Sequence, residues 1–308
     1  MNPRKVVVAG ATGALGNKIV AALLTQGADV TAIVRASSNR SNLEKLGVKD
    51  FVIGDMMNRA SLKEALSPQR GFDTIVASAA GYTRHSKGDS PLTDTVGYRN
   101  LVDAAKEAGI PRFVLISILE CDKAVAVPHF YNKYLIEKYL HEKKQPFIAL
   151  RPGAFLDQGR DFILPKLTKG ILPVFFTAGD YGMIYTPDLA RYAAIVATSL
   201  PDSELNTTVD VGWATPVNSK TLAAAFEKVL KKPIKPKAAM PFLFSRVVMP
   251  LLARFNDQMY DLIKMVNWVK TGAYVSRNTQ RQKDLLGDLP TVEEAVTRYC
   301  KDRNLISE

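Results

Sequence analysis

The residues best suited to chemistry come first in the chain. Gly10-Ala11-Thr12-Gly13-Ala14-Leu15-Gly16 follows the apolar run Lys5-Val6-Val7-Val8-Ala9 and opens an apolar-periodic helix. Small residues at such a turn let bare backbone N–H groups approach a pyrophosphate and aim a helix N-terminus at its charge. A Cβ there would block the approach or demand a strained φ. Gly10, Thr12, Gly13, Ala14, Leu15 and Gly16 are therefore the expected dinucleotide cradle. A second cluster lies about 20 residues further on, where NAD sites tend to carry an acid for the ribose hydroxyls. Here the residue is Arg35, with Ser37, Ser38 and Arg40 close behind. A guanidinium suits a 2′-phosphate and no acid competes for it. NADPH (NADP+) is the expected cofactor, ahead of NADH. The third cluster is Ala77-Ser78-Ala79-Ala80-Gly81, where Ser78, Ala79 and Ala80 are small enough for a dinucleotide to lie against the backbone. The polar segment from Tyr82 to Thr95, with Arg84, His85 and Lys87, reads either as a border of the site or as a surface connection.

The elements that must position these residues alternate short apolar runs with helical patterns, the mark of a parallel sheet covered by helices. Strands are predicted at Lys5–Ala9, Asp29–Val34, Asp50–Ile53, Thr74–Ser78, Arg112–Ser117 and Phe147–Leu150. Helices are predicted at about Leu15–Gln26, Leu43–Leu46, Ser61–Leu66, Asn100–Ala108 and Tyr131–Lys143. After Arg151-Pro152-Gly153 the rhythm breaks, then resumes with a helix at Asp188–Leu200, a strand at Thr207–Val211 and a helix at Ser219–Leu230. The expected fold class is α/β: a doubly wound parallel Rossmann sheet with a smaller, mainly helical C-terminal substrate lobe. Residues 1–155 form the dinucleotide-binding domain, its sheet completed by about 184–212, and 156–183 with 213–308 form the cap. Met240 to Tyr260 is rich in Phe, Leu and Met. It reads as helical cap around an apolar cavity, as plain core, or as a membrane-surface helix.

Composition narrows the classes. The 308 residues are 47% hydrophobic and 23% charged, enough for a substantial core in one large domain or two lobes. The formal charge of +11 is spread along the chain apart from Lys231-Lys232-Pro233-Ile234-Lys235-Pro236-Lys237. With no zinc-finger spacing and no aromatic-basic sheet pattern, nucleic-acid binding is not expected. The two cysteines, Cys121 and Cys300, give neither a metal site nor a disulfide framework. No run of about 18 apolar residues appears, so no membrane span is expected and any membrane contact would be weak and peripheral. The absence of a leader pattern points to a cytoplasmic setting. A small apolar substrate, with a homodimer or a regulatory protein partner, is the expected company.

Read as a set, GATGALG, Gly54-Asp55, the helix Asn100 to Gly109, Ser117, Lys133 and Arg151-Pro152-Gly153 resemble the NmrA-like branch of the atypical short-chain dehydrogenases/reductases. The resemblance implies that Asp55 meets the adenine amino group; the alternative is a turn aspartate. It implies that the Tyr82–Thr95 loop borders nicotinamide and substrate, that Ser117 orients substrate, and that Pro152 lies in a turn under the nicotinamide. It also implies that Lys133 holds the nicotinamide ribose. The superfamily pairs this lysine with a tyrosine four residues earlier, but here that position is His129. Tyr131 and Tyr134 lack the i, i+4 spacing. Three readings follow: His129 is the acid, since an imidazole titrates near neutral pH; Lys133 itself acts on substrate, as in isoflavone reductase-like relatives; or the site binds nucleotide without turnover. The resemblance thus implies an NADPH-dependent oxidoreductase for an apolar, aromatic or quinone-like compound, with a redox sensor as the alternative. Cys121 reads as a buried thiol, Asp188 as a helix N-terminal acid, and Phe155, Phe162, Phe175 and Phe176 as pocket lining or core.

Overall fold

A computed structural model describes residues 3–82, 89–157, 163–241, 244–276 and 278–307. Arg84, His85, Lys87 and Phe162 lie outside the described residues. The chain divides into two compact units, one of residues 1–121, 132–151 and 186–209, the other of residues 122–131, 152–185 and 210–308.

The first unit is built on a seven-stranded sheet. Its strands are β1 (Lys5–Ala9), β2 (Asp29–Val34), β3 (Asp50–Ile53), β4 (Thr74–Ala77), β5 (Arg112–Ile116), β6 (Phe147–Pro152) and the late strand Thr207–Val211. The spatial order is β3, β2, β1, β4, β5, β6 and then the late strand. The neighbouring pairs from β3 to β6 all run parallel. Val6, Val7 and Val8 of β1, Ile75 and Val76 of β4 and Phe113 to Leu115 of β5 are wholly buried. Such unbroken apolar runs are what strands covered on both faces require. The covering helices are α1 (Ala14–Thr25), α2 (Ser41–Lys45), α3 (Arg59–Ala65), α4 (Val96–Glu107), α5 (Pro128–Glu142) and a late helix, Thr186–Thr198, which packs on α1. The buried Arg112 guanidinium closes the late helix: it donates to Val196 O at 2.8 Å and Leu200 O at 2.6 Å, and reaches Asp202 at 2.5 Å. A cation there satisfies orphan carbonyls and meets the negative end of the helix dipole.

The second unit holds two short parallel pairs, Ala154–Phe155 with Met183–Ile184 and Ile171–Val174 with Lys235–Ala238. Its longest helices are Ser219–Leu230, Asp257–Lys270 and Val292–Asp302. The first and last of these pack together, with the Phe226 and Tyr299 rings edge to face at 5.8 Å. Each opens with a capping box, Asn218 with Thr221 and Thr291 with Glu294, which pairs donors that a helix start leaves unmet. The apolar segment 240–260 is not one helix. Phe244–Val248 is a π-turn, Met249–Leu252 a single α-turn, and Asn256 caps a new helix at Asp257. No helix of the described residues is long and apolar enough to cross a membrane.

Candidate functional site

The strand order reverses between β1 and β4, and open α/β sheets bind ligands at the carboxyl ends of such a pair. Ala9 stands opposite Ala77, so the residues that follow each strand meet. Ser78 N donates to Ala9 O at 3.0 Å, and a Cβ on Gly10 would lie 2.6 Å from Ala79 N. Gly10 also has φ +85°, a left-handed conformation that glycine alone adopts cheaply. A Cβ on Gly16 would fall 2.0 Å from Gly10 O. Gly13 N donates back to Gly10 O at 3.0 Å, and Asn17 Nδ2 braces the turn on Ala11 O at 2.7 Å. Gly13 is the N-cap of α1, with no side-chain cap and no acid in the first turn. No hydrogen bond within the described residues uses the N–H groups of Ala14, Leu15 or Gly16. The turn is thus a cradle whose glycines leave the backbone open, lined by orphan donors, and it fits a pyrophosphate.

Arg35 follows β2, half-exposed, with its guanidinium 2.9 Å from Asp89 Oδ1. Its backbone closes a turn with Ser38: Ser38 N donates to Arg35 O, and Arg35 N to Ser38 Oγ. Arg40 caps α2 and lies over the Phe51 ring at 5.4 Å. Asp55 Oδ1 accepts the Met57 N–H at 2.8 Å, the geometry of a turn aspartate.

The carbonyl of Ala79 gathers a buried charged cluster. Lys133 Nζ donates to it at 3.3 Å, and the Tyr98 hydroxyl at 2.6 Å. The ammonium lies 3.9 Å from the Tyr98 ring centroid and 3.0 Å from Asp94 Oδ1. Asp94 Oδ2 in turn accepts the Gly81 N–H at 2.7 Å. Glycine at 81 permits this closure, because a Cβ would meet Ser90 O at 2.6 Å. Lys133 and Asp94 are buried and Tyr98 wholly so. Burial pulls the lysine pKa down, but Asp94 and then Tyr98 outweigh it and hold the ammonium above the ordinary lysine value. Burial pushes the Tyr98 phenol up, only partly opposed by Lys133. Neither Asp94 nor Tyr98 was among the residues singled out from sequence. Tyr98 stands four residues after Asp94, in a helix that starts at Val96 and not at Asn100.

Ser117 belongs to a different cluster. Its hydroxyl donates to Glu137 Oε1 at 2.6 Å, and Arg151 clamps the same carboxylate with Nε at 3.0 Å and a terminal nitrogen at 2.5 Å. The Cys121 thiol lies 3.6 Å from the same oxygen, within a wholly buried setting. Glu137 is one turn beyond Lys133 on α5, so the network ties the helix to β6 and to the end of β5. Pro152 is buried at the end of β6, and Gly153 lies against the Gly182 backbone.

His129 lies in the first turn of α5, which begins at Pro128, three residues earlier than its pattern suggests. Proline suits a first helical position, where no N–H is needed. Asp261 holds His129 twice: Oδ1 accepts its backbone N–H at 2.9 Å, and Oδ2 contacts the imidazole Nδ1. The sequence offers no local signal for Asp261, which lies 132 residues away.

A Rossmann sheet with a glycine cradle at its switch point defines a dinucleotide-binding protein. The sequence pattern of the NAD(P)H-binding family matches residues 10–164, and the chain belongs to that family. It is 30% identical over 193 residues to the photosystem II assembly factor Ycf39 of Guillardia theta, covering 61% of this chain and 59% of that one. It is also 30% identical over 158 residues to a chloroplastic protein of Arabidopsis thaliana named for a high chlorophyll fluorescence phenotype, covering 51% of this chain and 38% of that one. The match therefore spans less than two thirds of each of these relatives. Among solved structures, the Escherichia coli NADPH-dependent quinone oxidoreductase in complex with NADPH superposes with a TM-score of 0.73 at 19% identity, covering 96% of this chain and 99% of that one. The Citrobacter triphenylmethane reductase with NADP(H) gives 0.73 at 20%, covering 95% and 99%. These likenesses establish the fold.

Proposed function

We propose that the chain is an NADPH-dependent reductase for a small apolar, aromatic or quinone-like substrate. The observation that carries this reading is the buried, charged Lys133 at Ala79, where the end of β4 meets Gly10. In this reading Gly10 to Gly16 receive the pyrophosphate, and Ser78 to Ala80 let the dinucleotide lie close. Asp55 reaches the adenine with the oxygen its turn leaves over. Arg35 and Arg40 bind the 2′-phosphate, with Arg35 shared between the phosphate and Asp89. When bound, the reduced nicotinamide supplies a hydride. Lys133 donates hydrogen bonds to the ribose and stabilises negative charge on a reacting oxygen, as a preorganised cation in a dry site does effectively. His129, one turn earlier on α5 and oriented by Asp261, handles the proton. The names and ligands of the reductase neighbours accord with this assignment.

Two expected results test the parts. Arg35→Ala raises the NADPH Kd by at least about tenfold and leaves NADH affinity unchanged, as loss of a charge-assisted phosphate contact requires; an unchanged NADPH/NADH ratio, measured by fluorescence titration, refutes the phosphate role. His129→Phe lowers kcat by roughly 100-fold or more while NADPH affinity stays within about threefold, the signature of a lost acid. A kcat within a few-fold of the parent in steady-state assays returns the proton to another group.

A second reading has its own support. The position four residues before Lys133 holds no tyrosine, and Lys133 is already paired with Asp94. A protein that binds both redox forms tightly and signals to a protein partner would need no more. It predicts tight binding of both NADP+ and NADPH and no turnover with quinones, enones or aldehydes.

A further inference from the structure

Arg35 does not face an incoming ribose alone. Its terminal nitrogen lies 2.9 Å from Asp89 Oδ1, an acid 54 residues further along the chain. Sites that take NAD tend to carry a carboxylate just past the second strand, where it accepts the ribose 2′-hydroxyl. Sites that take NADP tend to carry an arginine there. Residues 35–43, which follow β2, hold two arginines and no acid. The fold supplies the missing carboxylate from the chain beyond β4 and sets it against the same guanidinium.

The neighbours of Asp89 keep it there. Ser90 O approaches Gly81 so closely that an added Cβ would meet it at 2.6 Å. Ser90 Oγ accepts the Leu92 N–H and Ser90 O the Thr93 N–H, both at 3.1 Å, which closes a short turn over Pro91–Asp94. Asp94 ends that turn, pinned by the Gly81 N–H at 2.7 Å and the Lys133 ammonium at 3.0 Å. The backbone next to Asp89 is thus anchored beyond β4, and the carboxylate stays near Arg35 whichever cofactor arrives.

Charge then separates the two cofactors. A 2′-phosphate brings about −1.5 to −2 charges to a guanidinium that a carboxylate already answers, and the two anions repel. A 2′-hydroxyl brings no charge and can donate to that carboxylate, whose lone pairs serve a hydroxyl and a guanidinium together. We infer that Asp89 is a specificity-determining residue of the cofactor site. It accepts the ribose 2′-hydroxyl of NADH, opposes the phosphate of NADPH, and holds the preference for NADPH well below what Arg35 alone would give. This role rests on Arg35 meeting the phosphate, as proposed above, and adds NADH as a second cofactor that the chain binds. The two side chains are 31% and 24% exposed, so solvent and salt moderate the effect.

The test is fluorescence titration of NADPH and NADH on the full chain and on its Asp89→Asn and Arg35→Ala variants. Asparagine keeps the shape of the side chain and removes its charge. Asp89→Asn is expected to lower the NADPH Kd at least about fivefold and to raise the NADH Kd at least about threefold. The gain for NADPH is expected to shrink at about 1 M salt, where screening acts within about 3 Å. An NADPH Kd that is unchanged or higher in Asp89→Asn overturns the proposal, the higher value making Asp89 an orienting partner of Arg35. An unchanged NADH Kd overturns it as well. Arg35→Ala separates this role from the phosphate assignment. An unchanged NADPH/NADH ratio in Arg35→Ala removes the phosphate site and the role of Asp89 with it. A lowered ratio there, with Asp89→Asn behaving as the parent, removes the role of Asp89 alone.

Discussion

Lys133→Met is expected to abolish NADPH-dependent turnover and to cost the fold about 3–5 kcal/mol, the range for removing one partner of a buried ion pair. Methionine fills most of the space but leaves the Asp94 carboxylate buried opposite no charge. The two losses separate in the double variant Lys133→Met/Asp94→Asn. With the orphan charge removed, most of the stability returns, whereas turnover does not, because the ammonium itself is missing. Chemical denaturation and steady-state kinetics on both single variants and the pair complete the cycle. The pH dependence has a defined sign. The folded pKa of Lys133 is raised above its unfolded value, so the stability gained is fully present below the unfolded lysine pKa and disappears only as pH rises through the elevated one. Across neutral and mildly alkaline pH, the stability gap between the parent and Lys133→Met is therefore expected to stay constant. A gap that closes by pH 8 would mean that Lys133 is not held charged by Asp94.

Gly16→Ala is the second change with a large expected effect. The added methyl would sit 2.0 Å from Gly10 O, 2.8 Å from Gly10 C and 2.9 Å from Ala11 Cα, all backbone atoms that no rotamer change can move. Relief requires α1 to lift from the turn, which opens the Gly13–Gly10 hydrogen bond and misaligns the orphan N–H groups. A loss of about 2–4 kcal/mol and at least about 100-fold in NADPH affinity is expected, the backbone-clash end of the range for single substitutions. Gly27→Ala is the control. Its Cβ meets nothing within 4 Å, and its φ of +75° confines the cost to local strain. It is expected to leave nucleotide binding intact. Equal NADPH affinity in Gly16→Ala and the parent, by fluorescence titration, would place the pyrophosphate elsewhere.

What could be read from the chain was what is written locally. The β1 run, the glycine turn and the strands at Asp29–Val34 and Asp50–Ile53 carry their own pattern, and the sheet forms with those bounds. The misplaced ends have tertiary causes. α4 starts at Val96 despite Gly97, because that glycine lets the helix close on Met56, whose Cβ would be 3.2 Å from an added methyl. A helix predicted only from Asn100 leaves Tyr98 outside it, and Asp94 lies in the polar Tyr82–Thr95 segment with nothing to single it out. α5 starts at Pro128 because Asp261 supplies its cap from a distant helix. Ser117 was legible as the residue at the end of β5, but the Glu137 and Arg151 side chains that take up its hydroxyl come from a helix and a strand whose packing no local pattern encodes. The segment 240–260 was legible as apolar; that six of its side chains face outward is a property of the packed unit alone.

The central claim is that hydride leaves the dinucleotide held at Gly10, Ala79 and Lys133. The direct measurement is transfer from NADPH deuterated at the nicotinamide C4, followed by mass spectrometry of the products of enones and aldehydes, whose new C–D bonds do not exchange, with quinone reduction read as NADPH consumption. The account predicts deuterium in a reduced enone or aldehyde, or NADPH consumption with a quinone, abolished by Lys133→Met/Asp94→Asn. Tight binding of both NADPH and NADP+ with neither labelled product nor NADPH consumption would contradict it and leave the site a sensor of the cofactor.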